Sequence, residues 1–448
     1  MLMLLMLTLL ATPLVMTYHI ARKSHQNQFR VVDLGMAFIW IVFLYAFLPL
    51  LGIWLASLGI GTLTEQRLGN ELPPSGLVRS VGSSYAAFML AFAVIYSRQR
   101  NAHSHHAAVW QVPTSTDIRS LVVLVAVIKL GLLVFRFMLE ADVSDDYISS
   151  YTILRDQSLL IQQLGGLLTA IDFAATVLLI VATVAYAPRF HTLIAVLLGL
   201  QIVTAIAGGG SRSSAFLYAF AFVVARTVYG RSLRSSSLAI YGIVGLAAFL
   251  VAGLVRSGIK VGEGPLTLQL VQSGEFISVF YNSLDLLDRV GDANLLAVKA
   301  GMYLVDVLRL IPRQIIGDLK IDPATFYVST FYPEFSDAGG GLAFGAIAES
   351  TIGFGWPEAL VRGALLGWLY AYIANLCLNG KLTVVRIFVY VWFVVMSYQS
   401  IRDTTFSTIP RFLMQVLPLV IVLRLTGTLK SAARVPTIAR PTTRPQGS

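Results

Sequence analysis

The sequence predicts an all-α fold, a polytopic helical bundle embedded in a membrane, and three observations predict it. Hydrophobic residues make up 56% of the chain against 12% charged, with a mean hydropathy of +0.75, outside the balance of a soluble domain. Apolar stretches of about 17–25 residues, the length that a hydrocarbon core of roughly 30 Å demands, recur about eleven times. The loops between them alternate between purely basic and acidic, and one of them, 256–342, is long and polar.

In chain order the predicted spans fall near 2–18, 31–60, 80–96, 120–139, 165–186, 190–207, 213–229, 238–255, 343–378, 383–400 and 409–427. The first stretch has the length of a signal peptide. It lacks a basic leading region and a small-residue cleavage site, and its charges follow it, so it reads as a retained span. The chain therefore divides into an N-terminal bundle of about eight spans (1–255), the long loop (256–342), a C-terminal bundle of about three spans (343–427) and a basic tail (428–448). Prolines and scattered arginines in the tail predict disorder near a membrane surface.

Orientation follows from the loop charges, because Lys and Arg are retained on the cytoplasmic side. Loops 19–30, 97–119, 187–190, 226–237 and 379–386, with the tail from Arg424, hold seventeen Lys and Arg against one acid, Asp117. The opposite loops, 61–79, 140–164, 208–212, 256–342 and 401–411, hold thirteen basic and eighteen acidic residues. This places the N-terminus outside (periplasmic in a two-membrane cell) and the C-terminus in the cytoplasm of a multi-pass membrane protein. The net charge of +10 is spread over short turns and the tail, without a basic domain or interleaved aromatics. That argues for anionic membrane lipids as partners and against nucleic acid. The single cysteine, Cys377, excludes an internal disulfide or a CxxC centre, and the sequence calls for no cofactor and no metal.

The two halves show no repeat, which favours an enzyme over a transporter built from two related units. Within the long loop, 266–287 mixes apolar residues with Glu275, Asp285 and Asp288 at helical spacing and predicts amphipathic helices lying on the bundle. Pro312, Pro323 and Pro333 then interrupt regular structure, and the glycines 339–341 form a hinge, the composition of a flap over a substrate groove.

Arginines at the outer boundary are the chemical clue. Arg212, in AGGGSRSSAF, opens a helix behind three glycines that permit close backbone approach to an anion. Arg155 is the basic residue of an acidic loop, Arg402 stands in QSIRDTTFS, and Arg309, Arg313 and Lys320 form a third group. A guanidinium fork pairs with two oxygens of a diphosphate and stays protonated, so these residues are candidate diphosphate clamps, set against the plainer reading of snorkelling or pairing with a near acid such as Asp403. Inside the spans, Lys129 and Arg136 share a helix face and Asp172 offers a counter-ion for Lys129. Glu349, in GLAFGAIAESTIGFGWPEALVRG, sits below the glycine hinge at the outer end of the ninth span. It reads equally as a base for a sugar hydroxyl or as a structural partner of an arginine such as Arg402. Gly353, Gly355, Pro357 and Gly363 predict that this span is broken or oblique.

Three patches together, GGGSRSS, LIPRQIIGDLK and GLAFGAIAESTIGFGWPEALVRGALLG, resemble the bacterial O-antigen polymerases (Wzy) and related oligosaccharide repeat-unit polymerases. The resemblance extends from about Arg155 to Arg411 in the order of elements. It implies a C-type glycosyltransferase architecture, a glycan donor carried on undecaprenyl diphosphate at the periplasmic face, external arginines holding the diphosphate, and a chain-length regulator as a further partner. Arg155 followed by Gly166 matches an arginine-to-glycine spacing of such polymerases, and Arg313 lies in their IPR-like patch. O-antigen ligases are expected to carry a histidine in the large external loop. Here His19, His25, His103, His105, His106 and His191 all fall on predicted cytoplasmic segments. The ligase-like transferase is therefore one alternative, and a polysaccharide-lipid flippase or other transporter, with Lys129, Arg136 and Asp172 along its path, is another.

Overall fold

A computed structural model of the chain describes residues 2–25, 32–59, 72–100, 111–112, 115–139, 159–186, 212–229, 275–289, 303, 308, 311, 323–337, 342–379, 383–425 and 433–434. The described elements are almost wholly helical: α1 (Leu2–His25), α2 (Leu34–Ser57), α3 (Ser75–Gln99), α4 (Ser115–Leu139), α5 (Leu159–Tyr186), α6 (Arg212–Val228), α7 (Glu275–Asp288), α8 (Pro323–Phe331), α9 (Pro333–Asp337), α10 (Ala346–Ile352), α11 (Trp356–Leu378), α12 (Val384–Met396), α13 (Gln399–Arg402) and α14 (Thr408–Leu425). Among the described residues, six stretches are long and apolar enough to cross a bilayer: Met3–Ile20, Leu34–Ser57, Ser75–Gln99, Leu167–Val184, Trp356–Leu378 and Val384–Arg402. The spans expected at 190–207 and 238–255 lie outside the described residues.

The helix α1 packs on α2 and α3, burying Leu9 and Met16, and Trp40 Nε1 donates to Thr17 Oγ1 at 3.0 Å. The most extensive helix contact joins α3 to α11, residues far apart in sequence. Gly363 and Gly367, one turn apart, make it possible: a Cβ on Gly367 would lie 2.7 Å from the Phe92 carbonyl oxygen, and one on Gly363 would fall closer still to that of Phe88. In lipid, where apolar burial gives helices little reason to associate, such close backbone approach supplies the attraction. Because Gly363 meets Phe88, Gly367 meets Phe92 and Asn375 meets Gln99, α3 and α11 run parallel. The other side of α11 exposes Leu360, Val361, Leu365, Trp368, Tyr372 and Leu376, the stripe of a lipid-facing helix.

Polar contacts tie several helix ends together. Asp33 caps α2, accepting from the Gly35 and Met36 amides, and its carboxylate pairs with Arg100 at the end of α3 (3.2 Å). Arg100 also donates to Asn375 Oδ1 at 2.9 Å, the Asn375 amide donates to the Gln99 carbonyl at 2.8 Å, and Tyr390 Oη links Val32 and Leu34. Thr227, at the end of α6, accepts from the Val32 amide at 3.3 Å. A two-residue antiparallel bridge pairs Gln111–Val112 with Ala433–Arg434, so the start of the tail touches the 97–119 loop. The rest of the tail lies outside the described residues.

One expectation is corrected. The helix α7 does not lie on the bundle but is wedged among α2, α3 and α10, with residues around its circumference buried, Asn282 and Ser283 included. Helical spacing of polar residues cannot separate a solvated face from one whose polar groups find internal partners. Here the Asn282 amide donates to the Ala343 carbonyl, and Asp285 accepts from Arg289 (2.9 Å), Tyr327 (2.6 Å) and Tyr332 (2.8 Å). These contacts pin α8 and α9 to α7, with Phe331 beneath the Arg289 guanidinium at 4.7 Å. The ninth span is broken, as Gly353, Gly355 and Pro357 predict. It is a hairpin of the short α10 and the full-length α11.

Candidate functional site

The α10–α11 hairpin is built by its glycines. Gly345 (φ +95°) starts α10 against the Val279 side chain, and Gly355 (φ +72°) starts α11 with its amide on the Ser350 carbonyl at 2.7 Å. Both lie in the left-handed region that side chains avoid. In the turn, a Cβ on Gly353 would displace the Glu358 carboxylate from its place. Glu358 closes the turn by accepting the Phe354 amide at 2.9 Å.

Between the two arms lies a buried ion network. Arg362 donates from Nε to Glu358 (2.7 Å) and from Nη1 to Glu349 (2.8 Å). Glu349 Oε2 also accepts from the Thr405 amide (2.9 Å) and hydroxyl (2.7 Å), while Glu358 Oε2 accepts from the Tyr303 phenol (3.1 Å). Glu349 is 3% exposed, Glu358 8% and Arg362 9%, so two carboxylates share one guanidinium out of contact with solvent. Such an arrangement persists only with close geometry and added hydrogen bonds, which Thr405, Phe354 and Tyr303 supply. Tyr303, half exposed, is the outward edge of the network. Burial and the Glu358 carboxylate push its phenol above the ordinary value, keeping it a donor. The network lies deeper than the sequence suggests: Arg362 adjoins Gly363, which packs on Phe88 near the midpoint of α3.

Thr405 belongs to a second interruption. The helix α12 ends at Met396 and α14 begins at Thr408, with the short α13 between them. Ser397, Ser400, Thr404, Thr405, Ser407 and Thr408 in this segment are all fully buried. Their hydroxyls are consumed internally: Ser400 bonds Tyr370 (2.9 Å) and Thr408 (3.1 Å), and Ser407 donates to the Gln399 carbonyl (2.8 Å). Non-helical backbone at membrane depth is tolerated only where protein or a polar cavity surrounds it, so this segment marks the interior of the bundle.

The sequence-derived candidates fall as follows. Glu349 pairs with Arg362 rather than Arg402. Arg402 ends α13, half-buried, and its neighbour Asp403 pairs with Arg411 at 3.2 Å. Lys129 Nζ lies 3.0 Å from Asp172, joining α4 to α5. Arg136 stands on α4 and Arg212 opens α6, with side chains outside the described residues; Arg155, Arg309, Arg313 and Lys320 lie wholly outside them. Among the described residues no group of three His, Cys, Asp or Glu is placed to hold a metal ion. Sequence reasoning passed over Glu358, Arg362, Thr405 and Tyr303. The signal available was the four-residue spacing of Glu358 and Arg362 inside an apolar stretch, which puts them on one helix face with Glu349 thirteen residues before.

Helices of this length and hydropathy, interrupted where charge is buried, define a multi-pass helical membrane protein. Compared with known proteins, the chain matches no family model, no curated sequence and no solved structure.

Proposed function

We propose that this chain is a glycosyltransferase that joins undecaprenyl-diphosphate-linked oligosaccharide repeats into a longer glycan at the outer membrane face. One observation carries the reading: the patch GLAFGAIAESTIGFGWPEALVRGALLG, the longest of those that resemble repeat-unit polymerases, is the segment that folds into the α10–α11 hairpin and supplies Glu349, Glu358 and Arg362. In this scheme Arg155, Arg212, Arg313 and Arg402, with Arg309 and Lys320, hold the diphosphate and stabilise its departure. Glu349 is the proposed base, its carboxylate oriented by the three donors on Oε2. The glycan then passes from its carrier to a hydroxyl of the next lipid-linked repeat.

The test is to incubate purified protein with lipid-linked repeats, without nucleotide sugar or metal, and to resolve the products by size. A ladder of repeat multiples is expected; its absence across several repeat structures, with protein shown to be folded, overturns the reading. A second reading, a carrier of lipid-linked glycan, is favoured by the two interrupted helices and the ion network at mid-height of α3. It predicts movement of labelled substrate across vesicles with no new glycosidic bond.

A further inference from the structure

Around the α10–α11 turn, three large aromatic side chains that the scheme above does not use stand exposed: Phe354 at 79%, Trp356 at 57% and Tyr303 at 50%. Two of them are fixed by a single atom. Glu358 Oε2 accepts from the Tyr303 phenol at 3.1 Å and from the Phe354 amide at 2.9 Å, and a Cβ on Gly353 would stand 3.0 Å from Tyr303 Oη. Arg362 covers one face of the Tyr303 ring, 5.9 Å from its centroid, so the exposed half is the far face and edge. Trp356, two residues before Glu358, opens α11 at the end of the same turn.

This patch faces water rather than hydrocarbon. The register that sets Gly363 on Phe88 and Gly367 on Phe92 brings Phe354 and Gly355 level with Arg79 and Ser80 of α3, both exposed. Exposed charge and an exposed non-helical turn at one height do not stand in acyl chains. The rings also differ from the aromatic girdle at lipid headgroups, where Tyr and Trp lay amphipathic rings with the polar tip toward water. Tyr303 turns its hydroxyl inward to Glu358, and Phe354 has no polar tip. Apolar rings held out into water beside a buried ion network mark a binding surface.

We propose that Tyr303 and Phe354, with Trp356 beside them, form a subsite for a sugar ring of the glycan. A pyranose presents a face of C–H groups, polarised by its oxygens, to the electron-rich face of an aromatic ring, and keeps its hydroxyls in water. Through Glu358 and Arg362 the subsite is tied to Glu349, which gives the two acids of the network separate tasks: one spaces the rings and the other meets the reacting hydroxyl. The subsite rests on the glycosyltransferase reading for the class of its ligand, though not for the exposure of its rings.

Two measurements on the full-length protein in lipid nanodiscs test it. On a Cys377→Ser background, Phe354→Cys is expected to react with a charged, membrane-impermeant maleimide, and Trp368→Cys, on the lipid-facing stripe of α11, to react at least about tenfold more slowly. Equal protection of both thiols places the patch in lipid and overturns the subsite. Binding is read by saturation-transfer NMR titration against a panel of free oligosaccharide repeats from bacterial surface polymers. Wild type is expected to bind at least one of them. Tyr303→Ala and Phe354→Ala should each weaken that binding about tenfold, the loss of one stacked ring. Tyr303→Phe, which keeps the ring, should weaken it less than Tyr303→Ala, and Trp368→Ala should leave it unchanged. Wild-type affinity in both alanine variants overturns the subsite, as does wild type that binds no member of the panel. Ladders of repeats from alanine variants of unchanged affinity would sink the subsite and spare the polymerase; glycan binding that depends on the rings, with no ladder from wild type, would do the reverse.

Discussion

Arg362→Met removes the one guanidinium between two buried carboxylates and leaves their charge uncompensated. Each acid keeps two donors after the substitution: Glu349 retains the Thr405 amide and hydroxyl, and Glu358 retains the Phe354 amide and the Tyr303 phenol. The loss is therefore mainly of charge compensation, and breaking a buried pair from one side costs about 3–5 kcal/mol, the retained hydrogen bonds favouring the lower end. Adding Glu349→Gln removes one of the two stranded charges and should restore roughly half of the loss, a coupling that separate sites would not show. Thr405→Val alone should cost about 1.5–3 kcal/mol, one hydrogen bond to a carboxylate. Unfolding of the purified proteins in mixed micelles with rising SDS, followed by circular dichroism, measures all of these. A loss below about 1 kcal/mol for Arg362→Met, or no recovery in the double variant, would refute the claim that this network is a buried ion cluster.

Three further outcomes follow from the packing and the ion pairs. Gly363→Leu should fail to give a monodisperse protein by gel filtration, because its side chain would enter the Phe88 backbone, whereas Gly76→Leu, which meets only open space, should be tolerated. Lys129→Met or Asp172→Leu alone should destabilise by about 3–5 kcal/mol in the same micelle assay, while the double variant should lie close to wild type if the pair serves structure. On a Cys377→Ser background, Val112→Cys with Ala433→Cys should crosslink on mild oxidation, these residues being partners across the bridge, and unlinked protein would place the tail elsewhere.

Much of the fold was legible in the sequence because hydropathy and helix length are set by the bilayer itself. The stretches 31–60 and 80–96 correspond to α2 and α3 within a few residues. What was not legible depends on partners distant in sequence. Gly353, Gly355 and Pro357 signal an interruption, but nothing local says that the chain doubles back and sets Glu349 against Arg362. The burial of α7 was missed for the same reason, since its polar positions are satisfied by Ala343, Tyr327 and Tyr332 from segments that follow it.

The parallel seam between α3 and α11 bears on how the protein is made. As the chain emerges from the ribosome, α3 enters the membrane long before α11 exists; 275 residues separate Arg100 from Asn375, which it finally holds. Until then the Phe88 and Phe92 backbone groove faces lipid or a transient neighbour, and contacts of such separation close slowly. The late-arriving helix works as a latch on an N-terminal bundle already inserted. Two separately synthesised pieces divided within 256–342 would thus carry complementary halves of one seam, and assembly in the membrane, rather than insertion, would govern how much mature protein accumulates.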